Sequence, residues 1–542
     1  MKDTYDFILI CQSDVVDYSA YAKLPLERRD LYETLVYPRM VHYKGQFRGH
    51  LDIINHLRDG VFYDDSDYAR RRRLLNIWNL PAMTGPYLAN YMLQNGFNVA
   101  VINNIDSELD RFKRIYTTAR VKPLVGISST FYLAIKQVAR IAKMLTAIDP
   151  TMEIVLGGAF ANAQTIGGSP DVFEAPMRKY GMKYVLHAFN SEIDLRDLLA
   201  ARRHGTSIDA VNNLCYLDSG GKFHVTKTHW NEPVLNELEA HWDNLNLPFL
   251  NNTIQIRSAA GCPFSCAFCS YPTTARSWKT VKPGTVREHL DSVTRIPNLK
   301  QVIFIDDTFN VPKNRFKDLL KIFCDYDFEW FSFLRVQFVD EEIVKLMRDS
   351  GCKGVYLGVE SASDKVLKNM NKRATSAEFY RGVALLAKHG ITSMSAFVLG
   401  FPGETDETIR ETVKFIENSG TDFYSLKEFF YIKHTKVYDD REQYGLTGMG
   451  NRWSHDTMTS EGASRLKIEL FKEIRNCIHI DPDTSLWYWA YLCDQGFTIP
   501  EVKEIQKRIN RITLDQINGR FDDAHPAYFE IRDILNRQSR AA

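Results

Sequence analysis

The chain has 542 residues, of which 44% are hydrophobic and 25% are charged, with a formal net charge of +1. This length allows several domains with buried cores, and the near-neutral charge gives no electrostatic case for a nucleic-acid partner. Nine cysteines, an odd and mostly scattered set, do not indicate a disulfide framework. We expect no membrane partner, because no apolar run could span a bilayer and the first residues are too polar for a signal peptide.

Strand and helix patterns alternate through the first third of the chain. Short apolar runs predict strands, and apolar residues at helical spacing predict the helices between them. The predicted strands cover residues 5–11, 97–102, 124–127, 154–156 and 184–186, and the predicted helices cover 84–94 and 133–147. This alternation is typical of a doubly wound, Rossmann-like sheet, which binds ligands at the carboxyl ends of its strands.

Two of these strand ends carry hydroxyl and glycine residues. Ser128, Ser129 and Thr130 follow one strand, and Gly157 and Gly158 follow the next. Glycine lets a backbone approach a bulky ligand closely, and hydroxyl groups supply hydrogen bonds. Ordinary tight turns between strand and helix are the competing interpretation.

A connector at residues 231–248 leads to a short cysteine-rich loop. Cys262, Cys266 and Cys269 are spaced C-x3-C-x2-C and follow a predicted strand at 253–256. Three thiolates on a [4Fe–4S] cluster leave one iron open, and S-adenosylmethionine (SAM) can bind such an iron. Zinc and buried structural thiols are the alternatives, but no second cysteine or histidine pair follows to complete a zinc site. We therefore predict these cysteines as metal ligands with a catalytic role.

The alternation resumes after the cysteine loop. Predicted strands cover 301–305, 331–336, 354–359 and 395–399, and predicted helices cover 340–349 and 374–389. This is the repeat of a full or partial (β/α) barrel, whose catalytic face lies at the strand carboxyl ends. Beyond residue 430 we predict a mainly helical region, with helices at 460–478 and 501–518 and a loop at 449–458.

Polar residues at the ends of the barrel strands match the groups of SAM. The SAM ammonium and ribose need carboxylates, its carboxylate needs a cation, and its adenine needs open backbone. Candidates for these roles are Asp306, Arg335, Glu360, Ser361, Gly400 and Pro402. A salt bridge at the barrel rim is the competing interpretation of each charged residue, and it fits Asp307 better than Glu360.

The cysteine loop, with Phe268 just before Cys269, resembles the radical SAM signature. Residues 305–309 (IDDTF), 357–363 (LGVESAS) and 400–405 (GFPGET) are similar to the same stretches of cobalamin-associated and methylthiotransferase-type radical SAM proteins. The resemblance implies a [4Fe–4S] cluster on the cysteines and SAM beside Phe268 and the strand ends. It also implies an electron donor such as flavodoxin or ferredoxin, in a reducing cytoplasm.

Residues 80–92 (LPAMTGPYLANYM), 125–129 (VGISS) and 154–158 (IVLGG) resemble the cobalamin-binding domain that precedes many radical SAM domains. This resemblance implies cobalamin held by residues 128–130 and 157–158. The D-x-H-x-x-G motif that ligates cobalt is replaced by residues 104–109 (NIDSEL), which contain no histidine. His187, at another strand end, is a further candidate, with a local hydrogen bond as the competing role.

We therefore predict an α/β chain with three parts. These are a Rossmann-like cobalamin-binding domain with its connector at 1–230, a radical SAM barrel at 231–430, and a helical region at 431–542. The predicted function is methyl transfer to an unactivated carbon, or a phosphinate phosphorus, of a small molecule or peptide. Alternatives are a non-methylating cyclase or rearrangement enzyme and a non-catalytic iron–sulfur redox sensor. Cys11 and Cys215 are too few and too far apart for the second cluster of a methylthiotransferase.

Overall fold

The computed structural model describes residues 5–14, 38–64, 74–132, 134–235, 252–481 and 487–541, so most of the predicted connector at 231–248 lies outside it. The strands are β1 (Phe7–Gln12), β2 (Met40–Tyr43), β3 (Gln46–Gly49), β4 (Val99–Asn104), β5 (Leu124–Ser128), β6 (Ile154–Gly157), β7 (Tyr184–Leu186), β8 (Leu214–Leu217), β9 (Phe223–Val225), β10 (Thr253–Ile256), β11 (Ala259–Ala260), β12 (Lys279–Thr280), β13 (Gln301–Phe304), β14 (Glu329–Leu334), β15 (Cys352–Glu360), β16 (Thr392–Leu399), β17 (Phe423–Glu428), β18 (Thr447–Met449), β19 (Arg452–His455), β20 (Met458–Thr459) and β21 (Ile478–His479).

The α-helices cover His50–Asp59, Thr84–Gln94, Ile105–Thr118, Ile135–Ile148, Ala159–Thr165, Glu174–Tyr180, Glu192–His204, Tyr271–Ala275, Pro283–Val293, Lys313–Phe323, Glu341–Asp349, Asp364–Asn369, Ser376–Lys388, Asp406–Asn418, Lys436–Asp439, Ser460–Glu473, Tyr488–Asp494, Ile499–Ile517 and Pro526–Ala541. In the described part of the chain, no helix is long and apolar enough to cross a membrane.

The chain divides into two compact units. The first comprises Met1–Val15, Trp78–Gly261 and Thr274–Leu299, and the second comprises Val16–Ile77, Cys262–Thr273 and Lys300–Ala542. Both units are therefore discontinuous in sequence. The three consecutive ranges given above remain a prediction of how the chain divides.

The first unit is built on a seven-stranded sheet with the order β4-β1-β5-β6-β7-β8-β9. Its first five strands are parallel, while β8 and β9 are antiparallel additions at one edge. Every residue of β1 is buried, as expected for an apolar strand covered on both faces. The parallel strands follow the doubly wound order 2-1-3-4-5, so the predicted fold class is confirmed for this unit.

In the second unit, six parallel strands follow the order β13-β14-β15-β16-β17-β21, with helices between successive strands. The helix Ser376–Lys388 begins at Thr375, whose hydroxyl accepts the N–H of Glu378 in a capping box. These strands and helices match the predicted (β/α) repeat.

The C-terminal region differs from the prediction in two places. The helix predicted at 460–478 ends at Glu473, and Ile478 and His479 pair in parallel with Phe423 and Tyr424 as the last strand of the sheet. The loop predicted at 449–458 instead contributes to the antiparallel sheet β18-β19-β20. Gly448 and Gly450 have positive φ angles, which permit the tight reversal between β18 and β19.

Residues near both ends of the sequence pack together in the second unit. The N–H of His42 donates to Oε1 of Gln516 over 2.8 Å, and Nε2 of Gln516 donates back to the His42 carbonyl over 2.6 Å. The rings of Tyr43 and Tyr528 lie 4.4 Å apart between centroids. The hairpin β2-β3 is thus held by the C-terminal helices, which explains why the second unit includes it.

Candidate active site

Backbone hydrogen bonds hold the cysteine loop in the second unit. The N–H of Ala267 donates to the Met370 carbonyl over 2.8 Å, and the Ala267 carbonyl accepts the N–H of Val437 over 2.9 Å. Asn371 donates its side-chain amide to the Ser265 carbonyl over 2.8 Å. Segments that lie far from the loop in sequence therefore fix its shape, and Ala267 sits centrally between Cys266 and Phe268.

The three thiol groups have different surroundings. Sγ of Cys262 lies 3.2 Å from the hydroxyl of Thr308, and Nη2 of Arg335 donates to Sγ of Cys266 over 3.0 Å. Burial raises the pKa of Cys269 to about 11. Metal binding requires thiolates, so a bound metal must displace the proton from Cys269.

This donor set fits an iron–sulfur cluster better than a zinc ion. Among the described residues, no three His, Cys, Asp or Glu side chains converge closely enough to hold one metal ion. A structural zinc ion needs four such ligands at one point, whereas the thiolates of a [4Fe–4S] cluster bind different irons. Three neighbouring cysteines that do not converge on one point are compatible with a cluster.

Arg335 contacts the cysteine loop at two residues. Besides its contact with Cys266, it donates Nη1 to the Lys372 carbonyl over 3.1 Å, and its guanidinium lies 3.6 Å from the centroid of the Phe264 ring. These contacts orient its charge toward the cysteine loop. The predicted contact of Arg335 with the SAM carboxylate remains a prediction.

Glu360 forms an ion pair that the sequence did not indicate. Its Oε1 lies 3.0 Å from Nζ of Lys372, and the two side chains are 15% and 5% exposed. A β-carbon on Gly358 would lie 2.6 Å from Glu360 Oε1, so a larger residue at position 358 would displace this carboxylate. Lys372 escaped prediction because it lies in a loop, where no hydrophobic period marks its neighbours.

A cavity of about 970 Å³, including its open mouth, connects these groups. We call it the cysteine-lined cavity. Its lining contains all three cysteines together with Phe268, Asp307, Arg335, Tyr356, Glu360 and Lys372. The buried Tyr356 hydroxyl has no hydrogen-bond partner in the described part of the chain. Because buried hydroxyls are normally paired, this orphaned group fits a cavity that receives a polar ligand.

Four predicted SAM contacts lie outside this lining. Asp306 is only 1% exposed and Ser361 is fully buried, with the Ser361 hydroxyl accepting the N–H of Ser363 over 3.2 Å. Gly400 packs against Trp453, its carbonyl lies 2.9 Å from Nε2 of His455, and Pro402 is also buried. Their roles toward SAM remain predictions.

The first unit contains a second cavity, of about 1080 Å³ including its mouth, which we call the strand-edge cavity. Ser128, Thr130, Gly157 and Gly158 line it, at the carboxyl ends of β5 and β6. Ser129 lies outside the lining, because it is fully buried and donates its hydroxyl to the Gly157 carbonyl over 2.6 Å. Four of the five predicted residues are therefore brought together.

The floor of the strand-edge cavity depends on the absence of a side chain at Gly126. The ring of Phe7 lies over Gly126, where a β-carbon would come within 2.3 Å of Phe7 Cζ. On another wall, the hydroxyl of Tyr87 accepts the N–H of Arg257 over 3.2 Å and lies 3.3 Å from its carbonyl oxygen. These contacts place Arg257 at the cavity.

Two charged side chains that no sequence motif marked enter this largely apolar cavity. Within the described residues, Oε2 of Glu192 and Nε of Arg257 are buried without a hydrogen-bond partner. Such orphaned groups fit a ligand that offers amides, hydroxyls or a phosphate, and cobalamin carries all three. His187 lies outside the lining, and burial lowers its pKa to about 4.

Comparison with known families identifies the domain that carries the cysteine loop. The model of the radical SAM superfamily matches residues 256–416. Residues 256–416 therefore form a radical SAM domain. Its cofactors therefore include a [4Fe–4S] cluster and SAM, as predicted, and the redox-sensor alternative is set aside.

Two similar proteins have names that describe different reactions. One, from Pyrococcus horikoshii, is called an uncharacterized methyltransferase and is 27% identical over 364 residues, covering 63% of this chain and 75% of the relative. The other is an anaerobic magnesium-protoporphyrin IX monomethyl ester cyclase from Rubrivivax gelatinosus. It is 26% identical over 357 residues, covering 62% of each chain.

Solved structures share the fold of this chain over nearly its whole length. The methyltransferase TsrM from Kitasatospora setae, with cobalamin and a [4Fe–4S] cluster bound, aligns with a TM-score of 0.57 at 14% identity, covering 99% of this chain and 100% of its own. The cobalamin-dependent enzyme OxsB, with aqua-cobalamin and SAM bound, aligns with a TM-score of 0.53 at 13% identity, covering 91% and 89%. At these identities the likeness shows the fold.

Proposed function

We propose that the chain is a cobalamin-dependent radical SAM methyltransferase acting on an unactivated carbon, or a phosphinate phosphorus, of a small molecule or peptide. The observation that carries the proposal is the strand-edge cavity, with its glycine-lined edge and the orphaned Glu192 and Arg257. Its lining shares no residue with the cysteine-lined cavity, so a second cofactor would have a place of its own to bind. The name of the Pyrococcus horikoshii relative and the fold of the cobalamin-binding neighbours support the same assignment.

In the cysteine-lined cavity, the chain's own residues hold and orient the cofactors. When bound, the cluster and SAM supply one-electron cleavage of a carbon–sulfur bond. Cys262, Cys266 and Cys269 would ligate the cluster, and the N–H···S hydrogen bond from Arg335 would stabilise negative charge on it. Glu360 and Lys372 present opposite charges side by side, which complements the ammonium and carboxylate of SAM.

In the strand-edge cavity, the backbone at Gly157 and Gly158 would allow close approach of the corrin ring. The hydroxyl groups of Ser128 and Thr130, which lie 3.1 Å apart, would meet its amide side chains. Cobalamin supplies a carrier for a methyl group when bound. The apolar walls, which include Phe7, would exclude water from that carrier.

A non-methylating cyclase is the second candidate, because one of the two relatives described above is named as a cyclase. The two candidates share the cysteine-lined cavity, and only the methyltransferase requires cobalamin in the strand-edge cavity. We also propose a flavodoxin or ferredoxin as electron donor and a reducing cytoplasm as compartment, since SAM cleavage consumes one electron and an exposed cluster is oxygen-sensitive.

The test is anaerobic reconstitution of the full chain with iron, sulfide and hydroxocobalamin, followed by desalting and an absorbance spectrum. We expect a broad cluster band that is lost in a Cys262→Ala/Cys266→Ala/Cys269→Ala variant, and sharper corrinoid bands that are kept in both proteins. After a low-potential reductant such as titanium(III) citrate has reduced the corrinoid to its Co(I) state, label from methyl-labelled SAM should appear in the corrinoid fraction. A cluster without retained corrinoid would overturn the methyltransferase proposal and leave the cyclase.

A further inference from the structure

The second unit contains a third cavity, which neither cofactor requires. It measures about 890 Å³ including its mouth and lies between β17, β21 and the helices Ser460–Glu473 and Ile499–Ile517. We call it the His479 cavity. The aromatic residues Tyr424 and Phe471 form part of its wall. None of its lining residues belongs to the cysteine-lined cavity.

The two cavities lie on opposite faces of the same sheet. Met394 lines the cysteine-lined cavity and is the cross-strand partner of Phe423. Successive side chains of a strand point to opposite faces, so Tyr424 faces away from Met394 and Phe423. A ligand of the His479 cavity would therefore not occupy the space of SAM.

His479 makes this cavity chemically unusual. Its side chain is 2% exposed, and its ring meets Tyr424 and Phe471 edge-on, with centroid distances of 5.1 and 5.2 Å. Burial is the main cause that lowers its pKa to about 3, so the imidazole is neutral and offers one donor and one acceptor. Neither ring nitrogen has a hydrogen-bond partner within the described residues.

All the charged side chains in the lining are cations. Arg475, Lys507 and Arg511 are exposed at the rim. Lys507 and Arg511 stand one turn apart on the same helix and are held by Glu504 and Glu530. A polar floor under a basic rim, with aromatic walls between them, complements an anion on a flat apolar body.

We propose that the His479 cavity is a second ligand site, which binds an organic anion consisting of a planar apolar body with a phosphate or carboxylate. The planar body would lie against Tyr424 and Phe471, with His479 donating to or accepting from a polar atom on it. The anionic group would meet Arg475, Lys507 and Arg511. This site does not depend on the proposed methyl transfer.

The test is isothermal titration calorimetry on the reconstituted full chain, without oxygen. Phenyl phosphate and benzoate distinguish phosphate from carboxylate ligands, while phenol and inorganic phosphate isolate the apolar body and the anion. We expect at least one of the two aromatic anions to bind about tenfold more tightly than phenol or phosphate. Saturating S-adenosylhomocysteine should not displace it.

Two variants test the residues. His479→Phe keeps the aromatic packing and removes both nitrogens, and Arg475→Glu reverses one charge at the rim. Each variant should bind the aromatic anion about tenfold more weakly than the wild type does, while its affinity for SAM stays unchanged. Lys472→Glu makes the same charge change in the adjoining helix, outside the lining, and should have no effect. Equal binding of phenol, displacement by S-adenosylhomocysteine, no binding at millimolar probe, or full affinity in both variants would overturn the proposal.

Discussion

Nζ of Lys372 lies 3.0 Å from Oε1 of Glu360, and this ion pair is largely withdrawn from solvent. Glu360 also has a φ of +67°, which a side-chain-bearing residue adopts only where its surroundings enforce it. Because the pair lies in the cysteine-lined cavity, its two charges stand where a zwitterionic cofactor would meet them. Glu360 was predicted as a SAM contact from the strand end, and Lys372 is its ion-pair partner in the same cavity.

Replacing Lys372 by Met should weaken SAM binding about tenfold, because a carboxylate loses its cation and Glu360 is left unpaired. The same change should lower the free energy of unfolding by about 2 kcal/mol. Equilibrium dialysis with labelled SAM measures the first effect, and denaturant unfolding measures the second. Lys368→Met, on an exposed face of the preceding helix, is the control. Unchanged SAM affinity in Lys372→Met would remove Lys372 from the site.

Single Cys→Ala changes at positions 262, 266 and 269 should each abolish the cluster absorbance, since a cluster with two protein ligands is labile. Iron content and the absorbance spectrum after anaerobic desalting provide the measurement. Cys324→Ala is the matched control, because Cys324 is exposed and distant from the loop in sequence. A loop variant that retains its full complement of iron would contradict the ligand assignment.

Arg257→Met should weaken retention of hydroxocobalamin about tenfold, because it removes the single cation that lines the strand-edge cavity among the described residues. The chain's affinity for the corrinoid can be followed by absorbance after gel filtration, independently of any turnover. Arg178→Met, at an exposed helical position, should retain the corrinoid fully. Equal retention by Arg257→Met and the wild type would show that Arg257 does not contact the ligand.

Glu404 should make the protein less stable as pH rises. Burial raises the pKa of Glu404 to about 7 from an ordinary 4.5, although its carboxylate accepts the N–H of Gly400 over 2.6 Å. A raised pKa favours the native state below about pH 4.5, and this contribution is lost as the pH passes about 7. The loss amounts to about 3 kcal/mol.

Glu404→Gln can still accept the Gly400 N–H but cannot ionise. Its melting temperature should therefore fall less between pH 5 and pH 8 than that of the wild type. Glu411→Gln, at an exposed position of the following helix, should behave as the wild type does. A parallel pH dependence in wild type and Glu404→Gln would show that Glu404 ionises normally.

The sequence predicted the local elements well because their signals are local. The spacing of apolar residues and the turns at either end indicate the helix Thr84–Gln94 and the strands of both sheets. The contacts of a side chain at a strand end cannot be predicted from such local signals. Ser129 and Ser361 were predicted to contact ligands, but the hydroxyl of each forms a hydrogen bond within the protein. The sequence pattern does not indicate which of these two partners a strand-end hydroxyl takes.

Contacts between distant parts of the sequence escaped prediction for a related reason. His42 and Gln516 are 474 residues apart, and nothing in the residues around either one indicates the other. Likewise Arg257 gained a candidate role only through the cavity that it enters, although it stands next to a strand that was predicted. Long-range packing, rather than local propensity, determines both the His42–Gln516 contact and the position of Arg257.

The Phe7 ring occupies the space that a side chain at position 126 would need. The capacity of the strand-edge cavity is therefore tied to a single absent carbon. An alanine at position 126 would push the ring aside, and every wall that touches the ring would have to adjust with it. A one-carbon change at position 126 would thus let a related protein accept a smaller ligand in place of a bulky one. The polar residues at the strand ends would remain unchanged.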